Sequence, residues 1–437
     1  MQTRVDKRRT SSGKAVASLA LVGALTGAGL TGAPPAGAAT AAGAAGQIAP
    51  GVSYAEFDVP AAKGTAHAHV LTVDLRNPRV RVGLLHPGAV GARATVSAMA
   101  DAAGAVGGVN GDFFNISEAQ HPGVEATGAA VGPAIARGHT LKAAVPDGQR
   151  FGPALPPGTS TRDVLGVGVD RRARLDSMAL DGSVRTRADR VPLGGLNQYA
   201  LPVGSVGAFT PEWGSVSRVR ATCGTDTQRA APCSTDTYEV TVDRGRVVAA
   251  ADTPGAGPIA DGTTVLVGRE AGAQWLRKLS AGDPVQVRHR LVAARSRIPY
   301  RFAVGGYPVL RGGAPLPGLD ADTSAVRTAA GIGDHGRTLY LLALDGAPAY
   351  RTGLSIAEVA QTMRSLGADD AFSLDGGGSS TLAAREPGAS SVTVRNHPTD
   401  APERAVANGI GVWARQDRSA HPQPLSRTAT RPLKTPA

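Results

Sequence analysis

One stretch, residues 338–381, constrains the folding of this 437-residue chain more than any other. An apolar run over 338–344 ends on Asp345-Gly346. A second, over 371–374, ends on Asp375-Gly376-Gly377-Gly378-Ser379-Ser380. Between them Ser355 and Glu358 have the spacing of a capping box, in which each would satisfy an orphan amide of the other's turn. Ile356, Val359, Ala360, Met363 and Leu366 recur at helical spacing, and Gly367 stands where a helix end needs a left-handed residue. A strand–helix–strand run of this length predicts a crossover unit with parallel strands. Parallel strands end on one edge of the sheet, which would bring Asp345 and Asp375 together. The run 327–333 reads as the hairpin partner of 338–344, turning at Asp334-His335-Gly336-Arg337.

Upstream, 67–75 and 80–85 read as strands around the Asn77-Pro78 turn, and Val96, Met99, Ala100 and Ala103 fall at helical spacing. A short buried strand over 105–109 then leads into Asn110-Gly111-Asp112-Phe113-Phe114. If that strand shares the sheet, Asp112 joins the other two carboxylates. The region of about 150–295 is turn-rich and strand-like and lacks charged clusters, as expected of a β-rich insertion. With 42% hydrophobic and 19% charged residues the chain can bury a core. Its 57 glycines, 31 prolines and 4% aromatics point to many turns packed by small aliphatic side chains. The fold class expected is α+β or mixed α/β: a mixed sheet with crossover helices, plus the β-rich insertion.

The formal charge of +11 invites a nucleic-acid reading, but its location argues against one. Arg4, Lys7, Arg8, Arg9 and Lys14 crowd the start, and Arg415, Arg418, Arg427, Arg431 and Lys434 crowd the end, leaving the region between nearly balanced. No basic run there carries interleaved aromatics. The basic start, the apolar stretch 15–30 and Ala36-Gly37-Ala38 have the layout of a secretory signal peptide, with cleavage near Ala38. An exported protein is expected, with 39–52 as a flexible spacer, 53–414 as the catalytic region, 415–437 as a disordered basic tail able to touch an anionic cell-wall polymer, and no transmembrane segment in the mature chain. Cys223 and Cys233, close in a polar segment without a second pair or nearby histidine, read as a loop-closing disulfide of an oxidising compartment.

Three successive glycines can bring backbone amides close to a ligand oxygen, and Ser379, Ser380 and Thr381 add hydroxyls. Arg327 offers a planar fork for phosphate or carboxylate. Carboxylates beside an anion-binding loop suit a sugar phosphodiester, whose anomeric bond needs acid/base help while donors hold the leaving phosphate. His67 and His69 share a strand face without a carboxylate cluster nearby, so no metal and no cofactor are expected.

These residues resemble the phosphodiester glycosidase family, that of the N-acetylglucosamine-1-phosphodiester α-N-acetylglucosaminidases. The resemblance rests on Asn110-Gly111-Asp112-Phe113-Phe114, Arg327-Thr328-Ala329, Asp345-Gly346 ahead of Gly353-Leu354-Ser355, and the run from Ser373 through Asp375-Gly376-Gly377-Gly378 to Thr381. Asn396-His397-Pro398, Glu403-Arg404-Ala405-Val406 and Asn408-Gly409-Ile410-Gly411-Val412 extend it, so that it spans about 105–413. It implies release of a sugar, with N-acetylglucosamine as one candidate, from a sugar-1-phosphodiester or phosphate-containing glycan. It places Asp375 as the principal acid/base carboxylate, with Asp112 or Asp345 as its partner. Asn110, Arg327, Gly376, Gly377, Ser379, Asn396 and Arg404 would surround the substrate. Two other readings remain: a non-catalytic envelope glycan-binding protein, and a metal-dependent phosphodiesterase, for which the usual two-metal His/Asp clusters are lacking in the sequence.

Overall fold

The computed structural model describes residues 46–415 apart from Arg351 and Ala401, so the expected signal peptide and the tail beyond Arg415 lie outside the described residues. Within them are 24 strands and three α-helices. That overturns the expected mixed α/β sheet with crossover helices. The strands form three sheets whose neighbours are antiparallel, apart from the parallel pairing of Arg190–Leu196 with Val206–Phe209. The physical reason is local: many sequential strands are joined by tight turns of a few residues, as between Val52–Ala61 and Gly64–Asp74 or Thr237–Asp243 and Arg246–Ala251, and a tight turn can join only antiparallel neighbours.

An eight-stranded sheet runs Gly46–Ala49, Val52–Ala61, Gly64–Asp74, Thr338–Leu344, Thr328–Gly333, Asp370–Ser373, Tyr307–Arg311 and Ala314–Pro315. The hairpin read from 327–344 is present, with Thr328 opposite Ala343 and Gly333 opposite Thr338. The capping-box helix is present too, as α3 (Ile356–Ser365), although α1 (Val96–Ala103) and α2 (Ala271–Leu276) precede it. Both reciprocal bonds of the α3 cap are made, from Glu358 N–H to Ser355 Oγ at 3.3 Å and from Ser355 N–H to Glu358 Oε2 at 2.7 Å. What α3 does not do is join adjacent parallel strands. Thr328–Gly333 lies between Thr338–Leu344 and Asp370–Ser373 and is antiparallel to both. The expected spacer 39–52 also needs correction, because Gly46–Ala49 is an edge strand paired with Val52–Ala61.

A five-stranded sheet runs Val392–Val394, Leu382–Arg385, Gly107–Asn110, Gly409–Ala414 and Val80–Leu85. The strand that ends at Asn110 therefore does not lie in the sheet of Asp345 and Asp375. The remaining strands build an eleven-stranded sheet, most of it from the 150–295 region. It is completed by flanking strands Ala134–Ala136, His139–Lys142 and Tyr300–Gly305.

The three sheets meet on one shared core. Leu71, Leu341 and Phe372 from the first, Val82, Val109 and Ile410 from the second, and Leu165, Phe302 and Val304 from the third form a single apolar cluster. On its other face the eight-stranded sheet packs Ala329, Leu342 and Leu344 against Ile356, Val359 and Met363 of α3. Burial of such aliphatic side chains contributes about 1.5–3 kcal/mol each. It also fixes the edge at which the second sheet meets the first, and the functional residues gather there. The Cys223–Cys233 disulfide closes a loop of the third sheet's region, as its sequence setting led us to expect.

Candidate active site

Where the two sheets meet, the strand ends are tied to one another by backbone groups. Asp375 N–H donates to Gly111 O at 2.9 Å. Asn110, fully buried, donates from Nδ2 to Asp375 O at 2.7 Å, and its Oδ1 accepts from Thr328 Oγ1 at 2.8 Å and Thr381 N–H at 3.0 Å. Asn110 is thus a fastener of the Asp375 loop, with its polar atoms committed.

Asp112, 2% exposed, is boxed between two glycines. Gly132 N–H donates to its Oδ2 at 2.6 Å, while Oδ1 is buried with no hydrogen-bond partner. A Cβ on Gly305 would overlap Oδ2 and stand 2.7 Å from Gly132 Cα, so a side chain there would displace the carboxylate. Burial pushes the Asp112 carboxyl up to about 6 against the Gly132 bond and the charges of Lys142 and Arg150. Asp375 keeps part of its surface open. Its carboxyl is also pushed up to about 6, by burial first; the Ser379 hydroxyl, the Gly376 amide and Arg404 oppose the shift, and the charge of Asp112 adds to it. Two carboxyls with raised affinity for a proton, the charge of one raising that of the other, form an acid/base pair suited to chemistry near neutral pH.

The glycine run serves the site through space more than through its amides. Gly376 N–H turns back to Asp375 Oδ1 at 3.0 Å, and Gly377 N–H donates to Val326 O at 2.8 Å. Neither amide therefore points to an incoming anion. Gly377 adopts φ +59°, the left-handed region. A Cβ on Gly378 would overlap Arg404 Nη2, so its absence lets that guanidinium reach the loop. Arg404 is held by Asp400 (Nε to Oδ2, 2.7 Å) and reaches Ser379 Oγ at 3.3 Å. Arg327 donates to Leu354 O at 3.0 Å and Thr323 O at 2.7 Å, and burial lowers its proton affinity.

Two cations were missed from the sequence. Arg150 is buried, with its guanidinium carbon 4.3 Å from the Phe113 ring centre and 5.2 Å from that of Tyr307. Its Nη1 donates to Pro153 O, its Nη2 is buried without a partner, and it senses the charges of Asp112 and Asp375. Lys142, 1% exposed, donates to Val131 O at 3.3 Å, Ala143 O at 2.6 Å and Gly132 O. Burial lowers its ammonium to about 7, with Asp112 resisting the shift. A lone lysine in an otherwise apolar run is the one sequence signal that could have exposed it, since buried lysines are rare unless paired. Nothing in the Asp147-Gly148-Gln149-Arg150 segment marks Arg150 in advance.

Asp345 stands apart from this pair. Its Oδ1 accepts from Ala347 N–H at 2.9 Å and His397 N–H at 3.1 Å, and its Oδ2 pairs with His397 Nδ1 at 3.0 Å and lies 3.8 Å from His69 Nε2. Burial works against its charge, but these bonds outweigh it and hold the carboxyl below its usual range. The intervening strand Thr328–Gly333 accounts for the separation. Asn396 is likewise structural in its contacts: Nδ2 donates to Leu344 O and Ser380 O, and Oδ1 accepts from Leu382 N–H. Near Asp345, Glu56, His67 and His69 bring potential metal-ligand atoms within 4.8 Å of one another. The Tyr54 hydroxyl already bonds both Glu56 (2.9 Å) and His69 (2.8 Å), and His67 bonds Asp58. Burial and His67 lower His69 to about 4, which keeps its ring neutral at pH 7.

Comparison with known proteins bears on this geometry. Residues 236–413 match the family model described as phosphodiester glycosidase. A protein from Synechocystis shares the fold with TM-score 0.63 at 20% identity, over 84% of this chain and 62% of its own; this chain thus spans less than two thirds of that protein. A Burkholderia pseudomallei protein described as exported aligns with TM-score 0.60 at 24% identity, over 80% of this chain and 74% of its own. The zebrafish N-acetylglucosamine-1-phosphodiester α-N-acetylglucosaminidase catalytic domain, auto-inhibited by its pro-peptide, aligns with TM-score 0.42 at 14% identity, over 86% of this chain and 87% of its own. No curated protein matches significantly in sequence. The matched residues 236–413 hold Arg327, Asp375 and Arg404, and over that stretch the chain is similar to the phosphodiester glycosidases.

Proposed function

We propose that the protein is an exported hydrolase that releases a free sugar from a sugar-1-phosphodiester in an envelope or extracellular glycan. The observation that carries this reading is the pairing of Asp112 and Asp375 across two sheets, with Arg150 beside both. Export is supported by the basic, apolar and small-residue order of residues 1–38.

In this reading the bond broken joins the anomeric carbon to the bridging phosphate oxygen. The phosphate monoester leaves with the bonding electron pair, and water supplies the oxygen that becomes the sugar's anomeric hydroxyl. Asp375, the more open carboxyl, meets the reacting atoms. In its protonated form it gives its proton to the bridging oxygen, and a carboxylate accepts the proton lost by water. The charge of Asp112 adds to the burial that keeps the Asp375 carboxyl protonated at mildly acidic pH. Arg150 Nη2 is the donor best placed to hold the phosphate, because it is buried, charged and without a protein partner. Arg404 and Ser379 supply donors on the Asp375 side.

The test is hydrolysis of a panel of sugar-1-phosphodiesters in ¹⁸O-water with product identification. The expected result is a free sugar carrying the label. Label in the phosphate would mean P–O cleavage and overturn the reading.

A further inference from the structure

At the far end of the five-stranded sheet from the active site, the strand register gathers arginines. Arg81 lies opposite Trp413, whereas Leu85 lies opposite Gly409, which in turn pairs with Asn110. Arg81 is thus about four residues, or roughly 14 Å, along the strand from the end that leads into the site. Here a groove of about 870 Å³ opens between Val80–Leu85, Ala134–Ala136 and the start of Tyr300–Gly305. A neighbouring groove of about 550 Å³ shares Arg81, Arg301 and Trp413 with it and extends to Arg415.

The charge in these grooves has one sign. Arg81, Arg137, Arg301 and Arg415 are exposed, and no acidic side chain lines either groove. Among the described residues none of the four makes an ion pair with a carboxylate. Partial burial and the repulsion of Arg137, Arg415 and Arg301 lower the proton affinity of Arg81. Burial and Arg137 lower that of His86 on the same wall. Four exposed arginines held together without a counter-charge favour an incoming anion, and their spread over two joined grooves suits an extended one.

The aromatics indicate which extended anion fits. Trp413 is covered by Arg81, whose guanidinium carbon sits 4.3 Å from the ring centre, and its indole N–H is committed to Ala103 O. Tyr300 is buried and its hydroxyl bonds Asp176. Neither ring offers a face for stacking a base, which single-stranded nucleic acid requires of its binding surfaces. The segment beyond Arg415, itself rich in arginine, does not complement the groove.

We propose that this groove is a second, non-catalytic binding site that holds a phosphodiester-linked polymer without bases, such as a polyol-phosphate chain. The inference does not rest on the hydrolytic reading, because it concerns affinity at surface arginines remote from Asp375.

The test measures binding of the full chain to fluorescently labelled poly(glycerol phosphate) by anisotropy across a salt series. Wild type is expected to bind. Arg137→Glu/Arg301→Glu should weaken binding at least about tenfold at low salt and flatten the salt dependence, as loss of two phosphate contacts would. Arg137→Gln/Arg301→Gln should show the same direction more weakly, and both variants should hydrolyse a small sugar-1-phosphodiester like wild type. A single-stranded DNA of equal charge should bind less tightly than the polymer. Unchanged affinity in both variants, no binding by wild type, or DNA binding as tight as the polymer's would each overturn the proposal. Loss of polymer binding with small-substrate hydrolysis intact would support it whatever the natural reaction is.

Discussion

Asn110 and Asp375, 265 residues apart in the chain, are joined by a 2.7 Å hydrogen bond from the Asn110 side chain to the Asp375 backbone carbonyl. Because Asn110 also accepts from Thr328 and Thr381, it fixes the loop that presents the Asp375 carboxyl. The carboxyl itself takes no part in that bond, so its chemistry can be removed without untying the loop. Asp375→Asn should lower kcat/KM for sugar release by about 10²–10⁴ with little change in thermal midpoint. Steady-state kinetics and calorimetry on the same preparation check this; retained turnover would remove Asp375 from the reaction.

Asp112 links activity to pH through stability. Its carboxyl rises from 3.8 unfolded to about 6 in the fold. The folded state therefore holds the proton more tightly. That contribution is complete below about pH 4 and is lost as pH rises through about 6. Relative to wild type, Asp112→Asn should gain on the order of 3 kcal/mol between pH 4 and pH 7. Denaturant melts of both proteins across that range test the sign. A constant difference would mean that Asp112 is ionised throughout.

For the same reason hydrolysis should decline as pH rises through about 6, where the carboxyls of Asp112 and Asp375 lose their protons. A kcat/KM profile flat from pH 5 to pH 8 would contradict the pairing.

Gly305 leaves room for Asp112 by having no side chain. Gly305→Ala would place a Cβ into Asp112 Oδ2 and within 2.7 Å of Gly132 Cα. Relief by moving the backbone should cost about 1–3 kcal/mol, and the shifted carboxylate should lower kcat more than it raises KM. Thermal denaturation together with the kcat-against-KM split measures both effects.

Arg150 should act chiefly on the phosphate. Arg150→Met preserves much of the packing against Phe113 and Tyr307 while removing the buried donor. Loss of a charged hydrogen bond of about 1.5–3 kcal/mol should lower kcat/KM by about 10–100-fold. Inorganic phosphate inhibition, measured alongside, should weaken in parallel.

Much of this site was visible as residue types before it was visible as geometry. The motifs around Asp112 and Asp375 pointed to two carboxylates beside an anion-holding loop, and the hairpin at 328–344 and the capped helix α3 followed from local rules of turn and cap. Asp345 was expected close beside Asp375, and the strands that they follow do run in the same direction to one edge of the sheet. The antiparallel strand Thr328–Gly333 inserts between them, and Asp345 turns to His397 and His69 instead. The glycine amides were expected to cradle phosphate, yet those of Gly376 and Gly377 bond their own chain. That outcome depends on Val326 and on the Asp375 carboxyl, neither of which the motif specifies.

The sequence alone determined where chains of local preference start and stop: turns, caps, alternating strands, a cysteine pair, and polar residues placed directly after apolar runs. These depend on interactions among residues a few positions apart. Sheet order, the meeting of Gly111 with Asp375, and the burial of Lys142 and Arg150 beside Asp112 came only from the tertiary structure. They arise from packing three sheets on one apolar core, a long-range balance of buried area and satisfied backbone groups that no short window of sequence contains.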